Sequence, residues 1–483
     1  MKNPLHVLYA IFEASPFVQT GGLGDVGGAL PTALSRKGCD VRVMLPKFGS
    51  IPAHFRQQME SVTHFYVPLG WRNEYCGIEL LEWKGVPYYF LDNEYYFRRE
   101  KPYGYFDDGE RIAFFSKAVT ESIRHLPDFP CHILHCNDWH TALSTVYLRE
   151  FYCGLPQYDG IRTVFTVHNL HYQGIFGSQV LGDVLGLNGV PAAADQLTLR
   201  GDVNFMKGAL CYSDILTTVS PTYAKEIRNS YFGEKLEDLF NSRWDRLYGI
   251  LNGIDTEDYD PARDQALAAP YDAAHFAKKK VNKLALQREL NLEVNAEIPL
   301  LVMVSRLTEQ KGLDLLLRIL DELLLSRVEV AILGTGDAKY ENALREIAWR
   351  HPGRMNASLF FETALSRRFY AGADVLMMPS RFEPCGLSQM IAMRYGTLPV
   401  VRETGGLRDT VQSYNKYTGE GTGFSFANFN AHELLFTLKE AARVYREEPK
   451  AWRRMVARAM AADFSWNRPA QTYLEIYRRL VPG

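Results

Sequence analysis

At 483 residues the chain exceeds what one hydrophobic core supports and implies about two to three domains. Hydrophobic residues make up 47% and charged residues 23%, with a net charge of −2, which excludes a protein organised around nucleic acid or an anionic membrane surface. No charged segment leads into a long apolar run at the N-terminus, and no apolar stretch approaches the roughly 18 residues of a membrane span, so a cytoplasmic protein is expected. Seven cysteines, odd in number and without a C-x-x-C, argue against a disulfide framework and a zinc site.

The first half alternates short β-branched or aromatic runs with helical patterns. Strands are expected at 5–12, 41–45, 132–135, 161–167, 214–219 and 247–251, and helices near 23–37, 109–125, 139–151, 203–212 and 221–230. Such alternation builds a parallel sheet covered on both faces. After the first strand comes EASPFVQTGGLGDVGGALP, from Glu13 to Pro31, a glycine-rich loop opening a helix. Exposed backbone N–H groups and a positive dipole end suit a phosphate there. Gly22, Gly24 and Gly27 also match the dinucleotide fingerprint G-x-G-x-x-G, but that fingerprint follows its strand directly and needs an acidic residue after the next one. Neither condition is met. A glycine-rich turn without a ligand is the plainer alternative.

Several runs without helices between 62 and 92 suggest an antiparallel hairpin or an appended sheet. From Val86 to Phe106, nine of twenty-one residues are aromatic, against 13% for the chain. Core packing explains such density, and so does a surface that stacks on sugar rings. Residues 255–297 are rich in Asp, Ala, Lys and Pro and read as a connector with short helices. Alternation resumes with strands at 299–304, 328–333, 357–361, 374–378 and 398–401 and helices near 311–325, 338–350, 365–371, 386–395 and 430–446, a second doubly wound domain. A terminal helix is expected from Trp466.

Doubly wound sheets bind ligands at the carboxyl ends of their strands, so the chemistry belongs to the loops there. SRLTEQKG follows the strand 299–304 and supplies Arg306 and Lys311 at a helix start, a guanidinium and an ammonium that suit a diphosphate. PSRFEPCGL carries Glu383, Cys385, Gly386 and Leu387 at a loop-to-helix turn. RETGGLRDTV carries Thr404, Gly405 and Gly406. In the first domain HCNDWH and TVHNLHYQG follow strands and present Asp138, His168 and Asn169, while the spacing of His135 and His140 favours structural roles for that pair. LNGIDTEDY brings Asn252 and Asp255 to the end of the first domain.

Taken together and in this order, TGGLGDV, HCNDWH, TVHNLHYQG, VSPTYAKEI, ILNGIDTEDYDP, SRLTEQKG, PSRFEPCGL and TGGLRDTV resemble the bacterial glycogen synthases that are similar to plant starch synthases. The resemblance covers the whole chain. It implies the GT-B fold: a Rossmann-like domain over 1–253, a connector over 254–298, a Rossmann-like nucleotide-sugar domain over 299–463, and a helix over 464–483 that crosses back to the first domain, with a cleft between the domains. It also implies a retaining transfer of glucose from ADP-glucose to the 4-hydroxyl of an α-1,4-glucan, without a cofactor or metal. Arg306 and Lys311 would hold the donor diphosphate, with Gly21, Gly22 and Thr404–Gly406 closing on it. Glu383 would hold sugar hydroxyls, assisted by N–H groups from Cys385 to Leu387. His168 and Asn252 would contact the glucose with Asp138 close by, Phe361 would lie against the adenine, and Tyr95 and Tyr96 would face the acceptor.

One position departs from the family. Its first motif carries a lysine where this chain has Gln19, and Arg98 or Arg99 is a candidate substitute. Loss of one charged donor costs about 10²–10³ in rate, so a weakened glucan- or nucleotide-binding homologue is the alternative reading. A related transferase with another donor or acceptor is a further one. A phosphorylase would need a pyridoxal-phosphate lysine motif, and none is found.

Overall fold

A computed structural model describes residues 4–481. The chain forms two compact units, one comprising residues up to Gly253 together with those from Trp466 onward, the other Ile254–Ser465.

The first unit is built on a nine-stranded sheet whose order across the sheet is Leu247–Gly249, Ile215–Thr218, Arg162–Val167, Ile133–Asn137, His6–Ala10, Asp40–Pro46, Val86–Asp92, Arg72–Trp83 and Glu60–Leu69. The first seven are parallel, with Val7 paired to Val41 on one side and Ile133 on the other. The last two are antiparallel, and they extend the main sheet instead of forming a separate one, because Val86–Asp92 pairs parallel with Asp40–Pro46. Val7–Ala10 is wholly buried, as a strand covered on both faces must be. The helix Gly22–Ser35 follows, and Pro31 lies inside it. Proline lacks the N–H that would bond the carbonyl four residues back. That carbonyl, Gly27 O, instead accepts the Tyr88 hydroxyl at 3.2 Å. The terminal helix Asn467–Leu480 buries Tyr473, Leu474 and Tyr477 in this unit, and Tyr477 Oη lies 2.7 Å from His135 Nδ1.

The second unit carries a six-stranded parallel sheet in the order Met355–Ser358, Glu329–Leu333, Leu300–Val304, Val375–Met378, Leu398–Arg402 and Phe424–Phe426. Its last strand and the helix Pro449–Ala461 are additional to the elements expected from the sequence. Residues 254–298, expected as a connector, belong to the body of this unit. The helix Lys279–Glu289 packs on Thr363–Gly372, and two of its lysines, Lys279 and Lys283, are buried donors, while Lys280 stays exposed. Lys279 Nζ donates to Ala371 O at 2.8 Å and to Thr397 Oγ1 at 2.8 Å, and Lys283 pairs with Asp374 at 2.6 Å. A lysine-rich segment looks solvent-borne in sequence; buried acceptors reverse that here.

Each sheet has one point where successive strands begin to be added on the opposite side. In the first it lies between His6–Ala10 and Ile133–Asn137, in the second between Leu300–Val304 and Val375–Met378. Loops leaving neighbouring strands part there, and a crevice opens at their carboxyl ends.

Candidate active site

At the first switch point stand the loop after Ala10 and the residues Asn137 and Asp138. Glu13 organises the loop: its carboxylate accepts from the Thr20 backbone N–H, from Thr20 Oγ1 at 2.8 Å and from the Tyr103 hydroxyl. A Cβ on Gly27 would lie 2.4 Å from Glu13 O, so the helix and the loop touch only because a glycine is there. Gly21 and Gly22 remain exposed at the N-terminus of the helix. Gln19 is exposed beside them, and its amide has no partner among the described residues. Glu13 itself is nearly fully buried. Motif spacing does not single out its role; the one signal in the sequence is an acid directly after a buried strand.

Asp138 ends the strand Ile133–Asn137 with φ of 57°, a left-handed conformation that a non-glycine residue adopts at a cost. The turn aims its Oδ1 at the backbone N–H groups of His168 (2.7 Å) and Asn169 (3.3 Å), which fixes the next loop. Burial, with Glu13 adding repulsion, pushes the Asp138 carboxyl up to about 7. Asp138 is therefore a positioning group for His168. The His168 ring lies 2.9 Å from Asn137 Oδ1, and burial pushes its pKa down to about 3, leaving it neutral. His135 and His140 are held down to about 3 by burial as well. Both are structural: His135 bridges Tyr477 and Thr166, and His140 stacks on Phe12 at 4.8 Å. Asn252 is buried beyond the strand Leu247–Gly249, without a side-chain partner among the described residues.

Tyr95 and Tyr96, expected together on the acceptor side, separate. Tyr95 is 68% exposed, whereas Tyr96 is a core residue whose hydroxyl donates to Glu110 at 2.6 Å. Successive residues of the short helix Glu94–Phe97 point about 100° apart, so one can turn inward while its neighbour stays in solvent. Arg99 is committed to the part-buried Asp107 at 2.8 Å, whereas Arg98 makes only an exposed surface pair with Glu94 at 3.2 Å, a contact that holds it weakly.

At the second switch point the loops 305–312 and 379–387 are laced together. Lys311 Nζ pairs with Glu383 Oε2 at 2.6 Å, and Ser380 Oγ donates to the same oxygen at 3.1 Å. Arg381 N–H donates to Gln310 O at 2.8 Å, and the buried Arg402 Nε donates to Ser380 O at 2.8 Å. Lys311 closes a short 3₁₀ turn, Glu309–Lys311, and the long helix starts only at Leu313. Gly312 separates them with φ of 75°, and a Cβ there would lie 2.1 Å from Pro379 O. Arg306 is exposed, with no side-chain partner among the described residues. Ser380 is not singled out by the sequence; its nearness to Glu383 in PSRFEPCGL is the only cue.

Gly405 and Gly406 permit backbone contact with the Glu383 loop. A Cβ on Gly405 would stand 2.0 Å from Glu383 O, and Gly406 N–H donates to that carbonyl at 3.1 Å. The Gly406 N–H, expected to face a phosphate, is thus spent on holding Glu383. Thr404 is buried at the start of the short helix Gly405–Thr410. Gln389 Nε2 holds the carbonyls of Cys385 (3.1 Å) and Gly386 (2.9 Å), and the N–H groups of Gly386 and Leu387 find no acceptor among the described residues. Phe361 is 62% exposed three residues beyond Met355–Ser358, not at the strand's end. Among the described residues no three His, Cys, Asp or Glu side chains gather as a metal site requires, and no helix is long and apolar enough to cross a membrane.

Two doubly wound units, one presenting neutral polar groups and the other cations at its switch point, define a glycosyltransferase of the GT-B fold. Residues 6–242 match the starch synthase catalytic domain family and residues 268–455 match glycosyl transferases group 1. Over 476 residues the chain is 50% identical to a glycogen synthase from Desulfitobacterium hafniense, covering 99% of each, and over 477 residues 48% identical to one from Clostridium novyi, again covering 99% of each. The catalytic domain of starch synthase IV from Arabidopsis thaliana, bound to ADP and acarbose, superposes with a TM-score of 0.92 at 33% identity, over 99% of this chain and 100% of that one. The chain belongs to the glycogen synthase family, enzymes that build glucan.

Proposed function

We propose that the chain transfers glucose from ADP-glucose to the non-reducing 4-hydroxyl of an α-1,4-glucan with retention of configuration. The observation that carries this reading is the pair Lys311–Glu383 with Arg306 left unpaired in the same loop. Lys311 and Arg306 take the diphosphate, and Glu383, steered by Lys311 and Ser380, accepts sugar hydroxyls. The free N–H groups of Gly386 and Leu387 add donors. His168 and Asn252 contact the glucose, Gly21 and Gly22 approach the phosphates, Phe361 offers a flat face to the adenine, and Tyr95 to the acceptor.

In the transition state the sugar becomes oxocarbenium-like while negative charge moves onto the leaving phosphate. Preorganised cations and N–H groups aimed at that phosphate supply the largest stabilisation. Attack by the acceptor hydroxyl on the same face, with its proton passing to the departing phosphate, retains configuration without a protein nucleophile. The ADP seen on the starch synthase IV relative supports an adenine nucleotide. All seven cysteines are free, which supports a reducing, cytoplasmic setting. The exposed Gln19 favours one second reading, a weakened homologue that binds glucan or nucleotide without rapid transfer. The test is a donor comparison, ADP-glucose against UDP-glucose, with glycogen as acceptor. Faster incorporation from ADP-glucose is expected; preference for UDP-glucose contradicts the donor, and incorporation from neither favours the second reading.

A further inference from the structure

The bonding around Asn137 determines more than the location of His168. Asn137 Nδ2 donates to Ala10 O at 3.0 Å, so the atom on the other side of the amide is the carbonyl Oδ1, an acceptor only. That oxygen receives the Tyr9 hydroxyl at 3.1 Å and lies 2.9 Å from His168 Nε2. An acceptor facing Nε2 requires a proton on Nε2. In a neutral imidazole Nδ1 then carries a lone pair, and Nδ1 has no partner among the described residues.

We propose that Asn137, braced by Tyr9 and Ala10, is a positioning residue that locks His168 in the Nε2–H tautomer, making Nδ1 a hydrogen-bond acceptor for a substrate hydroxyl. The inference rests on the reading of His168 as a sugar contact. It gives that contact a direction: the substrate donates and the ring accepts. A lone pair turned toward the sugar also suits the positive charge that develops there, which an N–H or an imidazolium would oppose. The opposite tautomer would set the Nε2 lone pair against Asn137 Oδ1 and leave that oxygen with Tyr9 as its only donor. The buried Tyr9 and Asn137, both with no exposed surface, leave the amide no room to turn over without breaking its bond to Ala10.

The full chain labelled with ¹⁵N-histidine reads the tautomer directly by NMR, with the His168 signals assigned by their loss in His168→Gln. The expected result is a proton on Nε2 and none on Nδ1 at neutral pH. A proton on Nδ1, or a mixture of the two forms, overturns the inference, and the unsubstituted chain decides this alone. Asn137→Ala should mix the tautomers and lower kcat/KM for the nucleotide-sugar donor by about tenfold, the worth of one buried hydrogen bond. Tyr9→Phe should keep the Nε2–H form and lose less. Persistence of a pure Nε2–H ring in Asn137→Ala would show that another group sets it. The spectrum needs no substrate, so absent glucosyl transfer would count against the proposed function and leave the tautomer result standing.

Discussion

The two units secure their switch-point loops by opposite means. The first uses a buried carboxylate, Glu13, and a row of rings held neutral, with Asp138 spent on backbone N–H groups. The second uses an ion pair across two loops and leaves an arginine exposed and unpaired. Neutral acceptors suit a sugar that gains positive charge, and cations suit a phosphate that gains negative charge. The difference is written in which groups are charged; both sheets, though nine-stranded and mixed in one unit and six-stranded and parallel in the other, have a single switch point.

The largest effects should come from the second unit. Lys311→Ala should lower kcat by about 10²–10³, and it should also lower the melting temperature, because Glu383 then loses its ion partner in a nearly buried site. Arg306→Ala should lower kcat by a similar factor with stability changed by no more than about 0.5 kcal/mol, since nothing in the described residues leans on it. Steady-state kinetics beside thermal melting separates the two; equal stability losses would break the distinction between a laced and a free cation.

Acid should act on the first unit. His135, His140 and His168, held near 3, must take up protons on unfolding, so their stabilising contribution is present above the ordinary histidine value and is lost as pH falls from about 6.5 toward 3. His125 and His132 are lowered in the same direction by burial. Asp138, raised to about 7, opposes them: its contribution is present at low pH and is lost as pH rises from about 4 through 7. The histidines outnumber it. In the second unit Glu329, also raised to about 7 by burial, gains from acid. Calorimetry between pH 7 and 5 should show the transition of the first unit moving down more than that of the second, and the reverse order would contradict the assignment of neutral rings. Asp138→Asn should steepen the fall of the first unit by removing the opposing group.

The smallest effect concerns the glycine loop. Gln19→Lys exchanges a neutral donor for a charged one, worth about 1 kcal/mol or roughly fivefold in donor KM or turnover. Unchanged kinetics would show that the position does not limit this enzyme.

Much of this was legible in the chain. Parallel strands covered on both faces are continuous apolar runs, so His6–Ala10 and Leu300–Val304 announce themselves, and the eight ordered motifs give the family. Motif residues at strand ends, such as Glu383 and Lys311, stand out in the sequence because ligand chemistry of doubly wound sheets lies where strands stop. What failed depended on side-chain direction and on partners distant in sequence. Tyr95 and Tyr96 are neighbours in sequence, and only packing against Glu110 decides which turns inward. Residues 254–298 look like a connector until buried carbonyls and Asp374 are brought to Lys279 and Lys283. Glu13 and Asn137 sit inside the quoted motifs but act through Tyr103, Tyr9 and His168, contacts that spacing does not encode.

The central claim is that the chain, with Gln19 in its glycine loop, is an active glucosyltransferase. Incubating it with ADP-glucose and glycogen while following ADP release and polysaccharide mass tests this most directly. ADP should be released in step with new α-1,4-linked glucose at non-reducing ends; binding of both substrates with neither product formed would show that the chain is not an active transferase.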